Sequence, residues 1–177
     1  MPNHLYKVKV IKNALIPMGD GVTLGADILL PDAEGKFPGV LSFMPYHKDG
    51  RPRLPSDSNI YLAQRGYACV IADIRGTGNS SGYTTHGWAA QEAKDGYEAV
   101  EWIAEQSWCD GNIGMWGNSY GGMMSCLTAA QQPPHLKAIF PLHHTIDIHS
   151  HWAYIGGSMN MLGSLGGWLV SQSCTNL

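Results

Sequence analysis

The stretch GMWGNSYGGMMS, residues 114–125, passes from an apolar run through a glycine-flanked bend into a segment compatible with a helix. At its centre Gly117-Asn118-Ser119-Tyr120-Gly121 spells G-x-S-x-G. Five letters say little in a chain with 22 glycines, so the context has to carry the reading. A sharp strand-to-helix turn needs glycines on both sides of its apex, because side chains there collide with neighbouring backbone. Such a turn lifts the serine oxygen to the sheet edge and sets it over a helix N-terminus, where the dipole favours negative charge. Ser119 is therefore a candidate nucleophile, and the backbone N–H of Tyr120 a candidate donor to a developing oxyanion. A serine hydroxyl is a weak nucleophile at neutral pH and needs a base, usually a histidine held by an acid. The alternative is a small serine in a glycine-rich turn.

Outward from the bend, short apolar runs recur at GVLSFM (39–44), YACVIADI (67–74), NIGMWG (112–117) and LKAIFPL (136–142). Runs of this kind suit strands buried on both faces of a parallel sheet. Between them, QEAKDGYEAVEWIAEQ (91–106) places Ala93, Tyr97, Val100 and Ala104 on one helical face, with Glu92 and Asp95 opposing the dipole in the first turns. A second helix is expected to begin at the Ser119 bend and to stop before Pro133-Pro134. Before residue 38 the pattern differs. Tyr6, Val8 and Val10 alternate with Lys7 and Lys9, and Val22, Leu24, Ala26 and Ile28 repeat the alternation after the Asp20-Gly21 turn signal, which predicts an antiparallel opening. Strands alternating with helices imply an α/β, doubly wound domain.

The 177 residues suffice for one domain, and 44% hydrophobic with 14% charged residues is an ordinary globular balance. A formal net charge of −3, with no lysine or arginine block, argues against a nucleic-acid partner. Residues 1–10 lack the apolar core of a secretion signal, and Cys69, Cys109, Cys126 and Cys174 form no C-x-x-C pair; buried free thiols in a reducing cytoplasm are the expectation. RGTGNSSG (75–82) follows a strand but carries Ser81 where a dinucleotide fingerprint needs its third glycine, and no P-loop lysine is present. After Asp147 the chain contains no Asp, Glu, Lys or Arg. Its segment 154–170 holds five glycines and two serines, which argues against a membrane span and for packing against other protein, within a homo-oligomer or another assembly.

Four stretches, IPMGDGVTLGADILLPD (16–32), MPYHK (44–48), YACVIADIRGTGNSSG (67–82) and EAVEWIAEQSWCDGNIGMWGNSYGG (98–122), together resemble the serine-hydrolase family of cocaine-esterase-like enzymes, Xaa-Pro dipeptidyl peptidases and α-amino acid ester hydrolases. The resemblance implies an α/β-hydrolase fold with a helical cap inserted after the sixth strand. Residues 1–142 would then be the N-terminal part of the hydrolase domain and 143–177 the beginning of the cap. It also implies roles. Ser119 matches the nucleophile, the Tyr120 backbone one oxyanion donor, and Tyr46 the tyrosine whose phenol supplies the second. The RGTGNSSG loop matches a support of the active-site floor. The implied substrates are small esters, amides or short peptides, cleaved through an acyl-serine intermediate without a cofactor.

In that family the triad acid and histidine follow the cap, and no position here matches either, so both are expected beyond Leu177. A local substitute would come from LHHTIDIHSHW (142–152), where His143, His144, His149 and His151 surround Asp147. On a helix, His143, Asp147 and His151 would share one face at i, i+4 and i+8, a spacing suited to zinc or nickel and to a metal-dependent hydrolase. His47 and His86 read as polar loop residues near the pocket mouth. The remaining alternative is a catalytically incomplete truncation acting as a binding or assembly subunit.

Overall fold

The computed structural model describes residues 5–49, 55–84, 87–161, 166–168 and 170, the side chains of 55–57 aside. Six strands form one mixed sheet: β1 (Val8–Pro17), β2 (Thr23–Pro31), β3 (Phe37–Met44), β4 (Ala68–Asp73), β5 (Cys109–Asn118) and β6 (Leu136–Leu142). Their spatial order is β1-β2-β4-β3-β5-β6. β1 and β2 form the expected antiparallel hairpin, β2 meets β4 antiparallel, and β4, β3, β5 and β6 run parallel. Helices α1 (Pro55–Ala63), α2 (Ala90–Ala104) and α3 (Tyr120–Ala130) make the three crossovers.

The helices divide between the two faces of the sheet. Strand residues alternate in direction, so in β4 Cys69 and Ile71 pack with Leu29 and Ala63 of α1, while Val70 and Ala72 join the larger core of Leu24, Leu41, Phe43, Ile103, Ile113 and Met124 beneath α2 and α3. With both faces covered, β4 is buried throughout, which explains its unbroken apolar run. Burial pushes the Cys69 thiol up to about 12, so it is protonated at pH 8. Cys69 is expected to resist iodoacetamide at pH 8 in the native protein and to react in urea, as peptide mass spectrometry would read.

One edge is different. β6 ends the strand order among the described residues, and Phe140 is 63% exposed. Beside it an apolar groove of about 710 Å³ runs between α1 and the β5–β6 surface, lined by Tyr61, Leu62, Trp116, Ile139 and Phe140 among others.

Polar side chains tie the loops at the C-terminal ends of the strands. A bulge in β1 between Ile11 and Ala14 turns Asn13 into a left-handed conformation (φ 56°), and its Oδ1 accepts from both Lys48 Nζ and Asn79 Nδ2 at 2.7 Å. Asp73, at the end of β4, accepts from the N–H of Lys48 (2.7 Å) and of Asn79 (3.1 Å). Burial pushes its carboxyl up, against those two bonds. In the 75–82 loop, Ser80 Oγ donates to the Asp73 carbonyl and accepts from Gly25 N–H, so the loop is stitched across β2. Arg75 grips Asp95 of α2 through Nε and Nη2, both at 2.5 Å, and reaches Asp20 at 3.0 Å. With Asp95 fully buried, Asp95→Ala leaves a buried guanidinium short of its main partner; a loss of about 3–5 kcal/mol in urea unfolding is expected.

Among the described residues no helix is long and apolar enough to cross a membrane. His86, Cys174 and much of the charge-free tail lie outside the described residues.

Candidate active site

Three adjacent parallel strands deliver the site. β3 ends two residues before Tyr46, β5 ends immediately before Ser119, and β6 ends immediately before His143. The crevice at the carboxyl ends of such strands is where open α/β sheets bind ligands.

Ser119 stands between β5 and α3 with φ 57° and ψ −113°. A non-glycine residue held there costs about 1–3 kcal/mol, and the surrounding structure has to impose it. Several contacts do so. The Ser119 N–H donates to Leu142 O at 2.9 Å and its carbonyl accepts from Met123 N–H at 3.0 Å. The glycines leave no alternative packing: a Cβ on Gly117 would lie 2.6 Å from Gly121 Cα, and one on Gly122 would lie 2.8 Å from Leu142 O. The expected strand-to-helix bend is therefore present, with the serine at its apex. As the first residue of α3, Tyr120 presents an N–H that no carbonyl within the helix can accept.

Ser119 opens into a cavity of about 440 Å³ shared with Trp88, Met123, His143, His144, Trp152 and Trp168. Trp88 is the centre of its aromatic wall. It stacks on Tyr120 (4.7 Å between centroids) and on Trp168 (5.5 Å), and meets Trp152 edge-on at 5.6 Å. Tyr46 does not line this cavity, but its partly buried ring meets that of Tyr120 edge-on at 6.3 Å. The loop after it is fastened by Lys48, whose buried ammonium lies 2.6 Å from Asp49 and 3.3 Å from Asp27. His47, between the two, has φ 60°.

Beneath Trp88 lies a carboxylate that the sequence had placed only as a dipole partner. Glu92 is fully buried, and its Oε2 accepts from the Tyr120 phenol at 2.7 Å and from the Trp88 N–H at 3.0 Å, while Oε1 accepts from Thr84 Oγ1 at 3.0 Å. Burial pushes the Glu92 carboxyl up, outweighing the three bonds that favour its charge. The Tyr120 phenol is likewise pushed up, by burial first and then by the Glu92 charge.

The histidine segment departs from its expected form. Residues 143–147 are not helical; helical backbone begins at Ile148 and continues as a π-helical turn over His149–Ala153. Thr145 Oγ1 accepts from Asp147 N–H, a local turn, and the Asp147 carboxylate accepts from Ser150 N–H at 2.9 Å, which caps the short turn that follows and holds that carboxyl low. The i, i+4, i+8 face of His143, Asp147 and His151 therefore does not form. Among the described residues no group of three His, Cys, Asp or Glu is placed to hold one metal ion. His143, His144 and His151 do line the Ser119 cavity, but His143 Nδ1 is paired with Asn118 Oδ1 at 2.9 Å and His151 Nδ1 with Thr145 Oγ1 at 3.3 Å.

Comparison with known proteins bears on the family and the fold. The profile of the X-Pro dipeptidyl-peptidase (S15) family matches residues 20–176. The cocaine esterase of Rhodococcus sp. (strain MB1 Bresler) is 37% identical over 161 residues, 89% of this chain but 28% of that enzyme. Among solved structures, a CocE/NonD family hydrolase from Staphylococcus aureus superposes with a TM-score of 0.87 at 29% identity, covering 96% of this chain and 34% of its own. An α-amino acid ester hydrolase gives 0.67 at 28% identity, covering 82% and 26%. The sheet is thus of the α/β-hydrolase type, and the chain spans between a quarter and about a third of the length of these relatives. A profile match over most of the sequence, joined to a relative more than a third identical, fixes the assignment: the chain belongs to the X-Pro dipeptidyl-peptidase (S15) family.

Proposed function

We propose that this chain carries the nucleophile and the oxyanion site of a serine hydrolase that cleaves small esters, amides or Xaa-Pro peptides, and that the triad acid and histidine come from polypeptide outside it. The observation that carries this reading is the left-handed Ser119 at a strand-to-helix apex, opening into an aromatic-walled cavity. In the proposed reaction Ser119 Oγ attacks the substrate carbonyl carbon as the base takes its proton. The oxyanion accepts from the Tyr120 N–H and, by the family resemblance, from the Tyr46 phenol; donors so used act on charge that develops only in the transition state. Collapse breaks the bond to the leaving alcohol or amine, which receives the proton, and water then releases the acyl group by the same steps. Trp88, Trp152 and Trp168 suit an apolar or aromatic substrate group.

The test is turnover of a small activated acetate ester by this chain alone and by the chain joined to the remaining portion that its relatives possess. Turnover only in the joined form supports an external base. Ser119-dependent turnover by the chain alone would instead assign the base to His143, His144 or His151. A second reading, an assembly subunit without catalysis, draws on the exposed β6 edge and its apolar groove, and predicts no ester turnover in either form.

A further inference from the structure

Glu92 has no part in the chemistry proposed above, yet it is a fully buried carboxylate bonded to residues of the site. Its helix position is not what requires it. A first-turn acid serves the dipole equally well at the surface, whereas burial of an ionised carboxylate carries a large desolvation cost. Nor is it neutralised: the neighbouring cation, Arg75, is taken up by Asp95 and Asp20, and among the described residues none is paired with Glu92. What surrounds Glu92 is instead a set of neutral donors, and two of the three belong to residues that build the site. The Tyr120 phenol comes from the residue whose N–H is the proposed oxyanion donor. The Trp88 N–H comes from the residue that forms the aromatic wall beside Ser119, and Trp88 is itself held at φ 58°. The same N–H lies 2.9 Å from the Tyr120 hydroxyl oxygen, so the carboxylate, the phenol and the amide close a three-membered hydrogen-bonded ring. Gly87 allows the approach, since a Cβ there would stand 3.1 Å from the phenol oxygen.

We propose that Glu92 is a positioning residue for the oxyanion site: through the Tyr120 phenol and the Trp88 amide it fixes, at once, the orientation of the Tyr120 N–H and the aromatic wall over Ser119. Tyr120 is then held at two points, its backbone by the start of α3 and its ring tip by the carboxylate, and the donor cannot rock away from the oxyanion. This rests on the nucleophile reading of Ser119.

The experiment uses whichever polypeptide, the chain alone or joined to the remaining portion, turns over an activated ester, with Ser119→Ala as the reference. If Ser119→Ala retains turnover, the nucleophile reading falls, and the role of Glu92 with it. If turnover depends on Ser119, Glu92→Met, which removes the acceptor at similar size, and Tyr120→Phe are measured singly and together. Tyr120→Phe keeps the ring and the N–H and removes only the clasp. Each single change is expected to lower kcat by about 10- to 30-fold with KM altered less than about 3-fold, because a misaimed oxyanion donor weakens the transition state alone. The double variant is expected to match the worse single one, since both break the same link. A double loss equal to the product of the singles, an effect confined to KM, or an unchanged Tyr120→Phe would each overturn the proposal. Should Glu92→Met not fold, Tyr120→Phe decides alone.

Discussion

In this chain joined to the remaining portion that its relatives possess, alanine in place of Ser119 is expected to lower kcat for an activated ester by about 10⁴- to 10⁶-fold, the scale on which a hydrolase loses its nucleophile. The prediction is clean because the side chain has little structural duty. Ser119 is held by its backbone, through Leu142 O and Met123 N–H, and alanine meets the same left-handed φ with the same Cβ. Thermal unfolding midpoints of the two proteins should therefore agree within a few degrees while turnover disappears. A variant that unfolds early would mean that the hydroxyl supports the bend; one that keeps its turnover would remove Ser119 from the chemistry.

The second large effect lies two residues earlier. Gly117→Ala places a methyl 2.6 Å from Gly121 Cα and 2.7 Å from Gly121 O, both of them backbone atoms in the first turn of α3. No side chain can yield there, so either the helix start moves or the strand end does. Overpacking of this kind costs about 1–3 kcal/mol or more, and a displacement near 1 Å at the nucleophile costs about 10²-fold in rate. The expected result is a lowered urea midpoint together with at least that loss of kcat. Gly114→Ala, on the same strand, is the comparison: its Cβ comes no closer than 3.8 Å to Ala138 O, and near-native behaviour is expected. Equal damage from both would show that β5 tolerates no methyl anywhere, and would detach the effect from the bend.

Much of this architecture was legible because a few residues punctuate the chain strongly. The run 136–142 became β6 with its bounds unchanged, since Pro133-Pro134 close the helix before it and the apolar stretch stops at His143. The Ser119 bend was legible because only glycine fits at 117 and 122. Helix α1 was not singled out: the sequence PSDSNIYLA carries little apolar periodicity, and the helix is held by tertiary contact with β4 and β2 instead. The histidine segment misled for the opposite reason. Its spacing is helical, but Thr145 turns the backbone locally and Asp147 caps a turn that starts only after it, so His143 lies outside that turn. Glu92 and Trp88 were invisible as site residues because their meaning depends on burial and on Tyr120, 28 and 32 positions away. An acid at a helix start and an aromatic in a loop give no local sign of meeting.

The strand order also has a consequence in time. β3 lies in the middle of the sheet, yet its two neighbours emerge from the ribosome well apart: β4 begins at Ala68, β5 only at Cys109. At about 5–20 residues per second, the later side of β3 waits roughly 3–13 seconds after the strand itself is made. During that interval a strand that ends largely buried inside the sheet is an open edge. The order in which the chain is written thus makes its eventual centre its most vulnerable surface during synthesis.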